Sequence, residues 1–183
     1  SQIAKIIEIP GDGATAYLDA EYLIELISEL KCDLVHPGYG FLSENADFAE
    51  AVEKVGKIWV GPTVDQLRLF GNKLSAKDHA EKCGVPVLKS SGILQKFDEL
   101  EEWLMELPQG QSCLLKAAYG GGGRGIREVN HETDLKKVFS LAQGEAEKSF
   151  GNGGLYVEEY FEDARHIEVQ IIGDGEGAVE QLG

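Results

Sequence analysis

Apolar and polar positions alternate with helical spacing in two parts of the first third of the chain. Residues 19–31 form one amphipathic pattern with Asp19 as its predicted N-cap, and residues 48–55 form a second. Two short apolar runs, residues 33–36 and 58–60, follow the first and the second helical pattern. This order is typical of an α/β unit, in which short buried strands lie parallel and helices cover them. We predict the C-terminal part of a doubly wound, Rossmann-like unit here.

The pattern changes in the second half of the chain. Helical patterns occur at residues 98–107 and 132–150. Strand-like runs are interleaved with them, at residues 85–92, 113–118, 126–129 and 155–160. Residues 166–172 and 178–182 alternate as strands on either side of a glycine-rich turn. The mixture predicts an α+β module.

These patterns divide the chain into four predicted segments, so that its fold class is α/β followed by α+β. The segments are residues 1–62, a connector of two short helices at 63–87, the α+β module at 88–160, and the beginning of a further unit at 161–183. Before the first helix there is one strand-like run, residues 3–9, which is too little to complete a sheet. We therefore expect the chain to be a fragment.

Composition and charge exclude several classes. The 183 residues carry 17 Lys and Arg against 32 Asp and Glu, a net charge of −15, which disfavours nucleic acid and anionic membranes as main partners. Apolar runs are too short to span a membrane, and the first residues do not resemble a secretory leader. Three widely spaced cysteines suit buried thiols in a reducing compartment.

Glycine is over-represented, with 23 residues, and residues 120–125 read GGGGRG. This run formally matches the dinucleotide fingerprint G-x-G-x-x-G, but that motif requires a helix to begin at its end. Residues 126–129 read as a strand instead. A Walker A loop needs a Gly-Lys pair followed by Ser or Thr, and a kinase loop needs its lysine after the glycines, so both are rejected.

What is left is a glycine hairpin between two strands, with Lys116 shortly before it. Such a loop can bring several backbone N–H groups against phosphate oxygens. Residues 111–127 contain no Asp or Glu, which keeps the segment locally positive. We predict a lid over phosphates, and a flexible glycine linker is the alternative.

Four positions can be interpreted one by one, and for three of them a plain structural interpretation is available. Lys116 lies in an apolar run, where an unpaired charge is costly, so we expect it to face an anion. Lys73 alone could be a solvated helix lysine, Glu158 part of a surface charge pair, and His166 an ordinary strand histidine.

Taken together, the motifs resemble the biotin carboxylase component of biotin-dependent carboxylases, a branch of the ATP-grasp ligases. The resemblance covers most of the chain in the family's order and spacing. The matching stretches are HPGYGFLSEN at residues 36–45, VGP at 60–62, GNK at 71–73, KAAYGGGGRG at 116–125 and RHIEVQ at 165–170. The resemblance implies that the four segments are an incomplete N-terminal domain, a connector, an ATP-grasp lid subdomain and the start of the ATP-grasp body.

The resemblance also implies roles for particular residues. Lys73 and Lys116 would contact ATP phosphates, with Gly122 and Gly123 in the lid above them. The remaining positions would contact the rest of the nucleotide or border the bicarbonate and biotin pocket: Glu158, Glu159, Tyr160 and Phe161 at the adenine, His166 as a further nucleotide contact, and Tyr39 with Gly40 at the pocket. The family's catalytic and metal-binding residues would all lie outside this chain.

The implied activity is ATP-dependent carboxylation of biotin by bicarbonate through carboxyphosphate. It uses ATP, Mg²⁺ or Mn²⁺, and biotin on a carrier domain, beside a carboxyltransferase domain, in an enzyme we expect to be a homo-oligomer in the cytoplasm or mitochondrial matrix. The final acceptor could be acetyl-CoA, propionyl-CoA, pyruvate or urea. A carbamoyl phosphate synthetase-like ligase and a non-catalytic nucleotide-binding domain are the alternatives; residues 36–45 argue against the former.

Two positions depart from the common family pattern. Glu159 stands where many relatives have lysine, which a backbone contact to adenine should tolerate. Tyr119 stands where some relatives have glycine, and this resembles the pyruvate carboxylase pattern.

Overall fold

The computed structural model describes residues 6–119 and 125–183. These residues contain a 3₁₀-helix at Gly13–Leu18 and both helices and strands in mixed order. The α-helices are Ala20–Glu29 (α1), Ala46–Lys54 (α2), Val64–Gly71 (α3), Lys73–Lys82 (α4), Phe97–Met105 (α5) and Leu135–Phe150 (α6). The strands are Leu34–Val35 (β1), Ile58–Trp59 (β2), Cys113–Ala117 (β3), Ile126–Val129 (β4), Leu155–Glu159 (β5), Ile171–Gly173 (β6) and Val179–Gln181 (β7).

The N-terminal core is organised around the parallel pair β1 and β2, as the sequence predicted. Each helix around it begins at a polar cap; the Asp19 carboxylate, for example, accepts a hydrogen bond from the Tyr22 amide at 3.0 Å. The Lys57 ammonium donates to the carbonyls of Leu30 and Cys32 and so ties β2 to the end of α1. The buried core residues are Ile27, Leu42, Phe48, Ala49, Val52, Trp59 and Leu67.

The second core lies under an antiparallel sheet with strand order β4-β3-β5. Burial alternates along β3, so that one face of the sheet is apolar and is covered by α5 and α6. Asp134 caps α6, its carboxylate accepting from the Lys137 amide at 3.2 Å. The buried core residues are Leu94, Leu100, Leu104, Cys113, Leu115, Ala117, Val129, Ala142, Ala146, Leu155 and Val157.

The predicted strand at residues 85–92 does not form a continuous ladder. It runs along the free edge of β5, where Ser91 N–H donates to the Val157 carbonyl at 2.8 Å. The Ser91 hydroxyl also accepts the Val157 N–H at 2.9 Å, so a side chain replaces a backbone acceptor. Only isolated bridges at Ser90 and Leu94 are therefore found among the described residues of this edge.

Three other sequence predictions need correction. Helix α6 begins at Leu135 rather than at residue 132, because Thr133 and Asn130 close a turn on each other first. The strand predicted at 166–172 is formed only from Ile171, where β6 pairs with β7 across the predicted turn. Of the run at 3–9, residues 6–9 have no regular structure and residues 3–5 lie outside the described part.

The three cysteines differ in burial. Cys113 is fully buried on β3, and this burial raises the pKa of its thiol to about 12. Cys83 follows the last residue of α4 and is exposed, so the expectation of three buried thiols was wrong. Helix α4 has no buried residue, and its end leaves the thiol open to solvent.

In the part of the chain that the structure describes, no helix combines the length and apolar character needed to cross a membrane.

Candidate functional site

The register of the antiparallel sheet places Lys116 and Glu158 on one face. Lys116 stands opposite Tyr156, and Glu158 stands opposite Leu114, two residues along the same strand pair. Residues two apart on a strand share a face, so Lys116 and Glu158 are diagonal cross-strand neighbours. This face lies opposite the apolar face that α5 and α6 cover.

Helix α4 contributes two more lysines to this face. The Asn72 side chain caps the helix by accepting hydrogen bonds from the amides of Leu74 and Ser75, at 3.0 and 3.1 Å. Lys73 is therefore the first helical residue, and Lys77 follows four residues later on the same side of the helix. The cap thus fixes where α4 begins, and with it the side of the helix on which Lys73 and Lys77 lie.

Glu158 is the anion at the centre of this arrangement. Its two carboxylate oxygens accept hydrogen bonds from different cations, one from Lys116 and one from Lys77. All three side chains are largely buried, with 17% of Lys116, 15% of Lys77 and 12% of Glu158 exposed. We call Lys73, Lys77, Lys116 and Glu158 the lysine cluster.

The electrostatics of the lysine cluster follow from its burial. Burial raises the pKa of the Glu158 carboxyl, but the hydrogen bonds and charges of Lys116 and Lys77 outweigh it, so the pKa lies below its usual value. Burial lowers the pKa of Lys73, and repulsion from Lys116 lowers it further. Glu158 is therefore ionised at neutral pH, and Lys73 is close enough to Lys116 to be repelled by it.

The lysine cluster has three cations and one anion, hence a net charge of +2. Among the described residues no carboxylate forms an ion pair with Lys73. An unbalanced group of ammonium ions with reduced solvent access attracts polyanions, and phosphate groups fit its hydrogen-bond donors. The anion that Lys116 faces in the structure is the Glu158 carboxylate, and its contact with phosphate stays a prediction.

The other residues predicted to contact adenine continue from the end of β5. Glu159 is half-buried, and its carboxylate accepts the Lys89 N–H at 3.0 Å. Its own N–H donates to the Lys89 carbonyl. Tyr160 and Phe161 follow the strand with exposed rings. Glu158 and Glu159 are thus engaged in ion pairs or backbone contacts, which disagrees with their interpretation as a simple surface charge pair.

Tyr39 and Gly40 lie in the loop after β1, at the carboxyl edge of the parallel pair. The Tyr39 ring is 97% exposed. Gly40 has φ +76°, and the next residue, Phe41, also has a positive φ of +47°, which is unusual for a residue with a side chain. The Phe41 ring stacks on Tyr17 with centroids 5.0 Å apart. The structure does not bring Tyr39 or Gly40 into contact with the lysine cluster.

His166 also lies away from the lysine cluster. Its side chain is 85% exposed and stands 3.7 Å from the Glu168 carboxylate. The lid predictions for Gly122 and Gly123 fall outside the described residues. The strands on either side of the glycine run do form the predicted hairpin, with Lys116 opposite Ile126.

Lys77 is the functional candidate that sequence reasoning missed. It belongs to none of the motifs, and the helix in which it lies was interpreted only as a connector. The available signal was its spacing of four residues from Lys73 on a predicted helix, which places both on one side.

Two family models match the chain. The N-terminal domain of biotin carboxylase matches residues 2–67, and the ATP-binding domain of the carbamoyl-phosphate synthase L chain matches residues 72–183. The second match covers more than half of the chain and contains the whole lysine cluster. These matches define the class of protein: an ATP-grasp ligase fold with an ATP-binding domain.

Similar proteins make the assignment more specific. Pyruvate carboxylase of Aspergillus terreus is 44% identical over 168 residues, which are 91% of this chain and 14% of that protein. Biotin carboxylase of Pseudomonas aeruginosa is 41% identical over 174 residues, which are 95% of this chain and 39% of that protein. The chain belongs to the biotin carboxylase family, as its motifs predicted.

Solved structures agree with this assignment. The biotin carboxylase domain of the Hydrogenobacter thermophilus 2-oxoglutarate carboxylase, in complex with MgADP, ADP and bicarbonate, has a TM-score of 0.88 at 40% identity. The match covers 96% of this chain and 38% of that one. The biotin carboxylase–β-γ-ATP complex from Campylobacter jejuni has a TM-score of 0.84 at 41% identity, and the match covers 91% of this chain and 37% of that one. The chain thus spans well under half the length of its relatives.

Proposed function

We propose that this chain is part of a biotin carboxylase that uses ATP and bicarbonate to carboxylate biotin, with carboxyphosphate as the intermediate. The observation that carries the proposal is the lysine cluster at the base of the glycine hairpin. The helix cap and the sheet register place the backbone of Lys73 and Lys116 there. Similar proteins bind ADP and bicarbonate or ATP, which supports the same ligands here.

The part of the reaction that these residues perform is to bind and orient the triphosphate. Phosphoryl transfer depends on positioning and on charge stabilisation. Lys73 and Lys116 would each donate to phosphate oxygens, and their partial burial strengthens those bonds relative to water. The glycine lid containing Gly122 and Gly123 would cover the phosphates and exclude water.

The adenine end of the nucleotide would bind where β5 ends. Glu158, Glu159, Tyr160 and Phe161 lead away from the sheet there, with backbone groups available for the base. We propose His166 as a further nucleotide contact and Tyr39 with Gly40 as the border of the bicarbonate and biotin pocket.

We propose that Mg²⁺ binds here together with the nucleotide. Both oxygens of Glu158 are occupied by lysines, and within residues 6–119 and 125–183 no three His, Cys, Asp or Glu side chains converge on a point. The ion would neutralise phosphate charge. We propose that it is held by the phosphates and by glutamates that the family resemblance places beyond Gly183.

The same resemblance suggests the wider enzyme. We propose that a biotinyl carrier domain and a carboxyltransferase domain act with this chain, in a homo-oligomer located in the cytoplasm or the mitochondrial matrix. The 183 residues alone would bind nucleotide at most and would not carboxylate biotin. Bicarbonate-dependent ATP hydrolysis by the isolated chain, stimulated by free biotin, would contradict this.

The direct test is Lys116→Ala in the full-length protein that carries this chain. We expect ATP affinity to fall about tenfold or more, because a hydrogen bond to a charged group contributes about 1.5–3 kcal/mol. Calorimetry with a non-hydrolysable ATP analogue measures this loss of affinity. Lys54→Ala is the matched control, since Lys54 is exposed and pairs with Glu50 on its own helix, α2.

Two results would contradict the proposal. Unchanged ATP affinity in Lys116→Ala would remove the assigned role of the lysine cluster. Carboxylation or phosphorylation that requires ammonia rather than biotin as acceptor would favour a carbamoyl phosphate synthetase-like reaction instead.

A further inference from the structure

Glu158 shares its carboxylate between two lysines, of which only Lys116 is expected to bind phosphate. Lys116 pairs with this carboxylate from β3, and Lys77 pairs with its other oxygen from α4. Lys77 has no role among the residues implied by the family motifs. Its position in the lysine cluster therefore needs its own explanation.

The need for a second cation follows from the burial of Glu158. A carboxylate with 12% of its side chain exposed has little water to solvate it and needs a partner to stay ionised. If Lys116 turns from Glu158 to a phosphate oxygen, the pair that neutralises this carboxylate is broken. Without another cation, nucleotide binding would leave a buried charge unpaired, which is strongly unfavourable.

We propose that Lys77 is a positioning residue that keeps Glu158 paired while Lys116 exchanges the carboxylate for the nucleotide phosphates. This inference depends on the proposed ATP site. Glu158 then serves as an internal anion that holds Lys116 in place before the nucleotide arrives. Because Lys77 stays paired with Glu158, Lys116 can leave the carboxylate without leaving a buried charge unpaired.

The geometry of α4 supports this division of roles. Lys73 and Lys77 lie one turn apart on one side of the helix, and the Asn72 cap sets the start of that helix. Lys73 is the cluster lysine that has no carboxylate pair among the described residues, while Lys77 is committed to Glu158. One helix thus supplies a cation for the ligand and a cation for the protein's own carboxylate.

The test compares Lys77→Met, Lys77→Gln and Lys77→Arg in the full-length protein that carries this chain. Lys82→Met is the matched control, because Lys82 lies on the same helix and is exposed. We expect Lys77→Met to raise the KM for ATP and the Kd for ADP about tenfold, the scale of one charge-assisted hydrogen bond. The kcat should change less than twofold, and Lys77→Arg should restore most of the affinity.

Adenosine separates this role from a merely structural one. Adenosine has no phosphate to draw Lys116 away from Glu158, so its inhibition constant should be the same in Lys77→Met and wild type. An equal loss of adenosine and ADP affinity would overturn the proposal. Lys77→Gln keeps a hydrogen-bond donor without the charge, and serves if Lys77→Met does not fold.

The outcomes also separate this inference from the proposed function. If wild type binds ATP and Lys77→Met and Lys77→Gln bind it equally well, the role of Lys77 is wrong and the ATP site stands. If Lys82→Met loses as much affinity as Lys77→Met, the effect belongs to the helix and the role of Lys77 is again wrong. If wild type does not bind ATP or ADP, the proposed function itself fails.

Discussion

The two faces of the strand pair β3–β5 carry different residues. One face is apolar and is covered by α5 and α6, and the other combines Leu114 and buried Tyr156 with the ion pair of Lys116 and Glu158. On β3, Leu115 points to the apolar face and is fully buried, while its neighbour Lys116 points to the other face and is 17% exposed. Val157 and Glu158 show the same alternation on β5. Hydrophobic contacts fill the first face, whereas the second holds the Glu158 carboxylate between the ammonium groups of Lys116 and Lys77.

This difference shows how adjacent residues of one strand serve different purposes. The apolar face gains stability from the area it removes from water. The charged face gains little net stability, because desolvation of the ions offsets their attraction. The charged face brings Lys73, Lys77 and Lys116 close to one carboxylate, Glu158. Substitutions on the two faces should therefore affect different measurements.

The largest effect on stability is expected from Leu115→Ala. The side chain is fully buried among the residues of the second core, so its truncation leaves a cavity and should lower the free energy of unfolding by about 2–5 kcal/mol. Denaturant unfolding followed by circular dichroism measures this. The comparison of the two faces would be wrong if Lys116→Ala lowered stability as much.

The charged face should respond to pH where the apolar face does not. The pKa of Glu158 is lowered in the folded protein, so its ionised form contributes stability above the ordinary carboxyl pKa of 4.5. That contribution is lost as the pH falls through the lowered value. We expect a thermal unfolding series from pH 7 to pH 3 to show a smaller decline in Glu158→Gln than in wild type. Parallel curves for the two proteins would contradict the assignment.

The edge of the sheet gives a smaller effect. Ser91→Ala removes the hydroxyl that accepts the N–H of buried Val157, and an unsatisfied buried amide costs about 1–3 kcal/mol. Hydrogen exchange should show faster exchange of the Val157 amide. Ser91→Thr keeps the hydroxyl and is the control, and the interpretation fails if it exchanges as fast as Ser91→Ala.

The smallest effect is expected at the helix that covers the apolar face. Asp134→Ala removes the N-cap of α6 and should lower the free energy of unfolding by about 1 kcal/mol. Asp134→Asn retains a capping oxygen and should recover most of that loss. Equal stability of wild type and Asp134→Ala would show that the core contacts of α6 alone set its start.

Sequence patterns predicted most of the fold because burial follows local periodicity. The helical patterns of α1 and α2 and the hairpin of β3 and β4 were expected. The predicted strand at 85–92 failed because a side chain, Ser91, replaced a ladder acceptor, which no period of two reveals. Residues 166–170 alternate like a strand but lie outside one, since alternation does not supply a pairing partner.

The candidate site was predictable in part for the same reason. Lys116 stood out because a charge interrupted an apolar run, and its need for an anion followed from that. Its partner could not be named, since the diagonal pairing with Glu158 depends on the register between strands 42 residues apart. The role of Lys77 could not be predicted, since its ion pair with Glu158 joins α4 to β5, which is a tertiary contact.

The uneven burial of the cysteines has a practical consequence. Cys113, with its pKa raised to about 12 and no access to solvent, should resist alkylation in the folded state. Cys83 is exposed at the end of α4, whose other end carries Lys73. A maleimide dye would therefore label Cys83 far faster than Cys113. The attached dye would report on the motion of α4, the helix that carries Lys73 and Lys77.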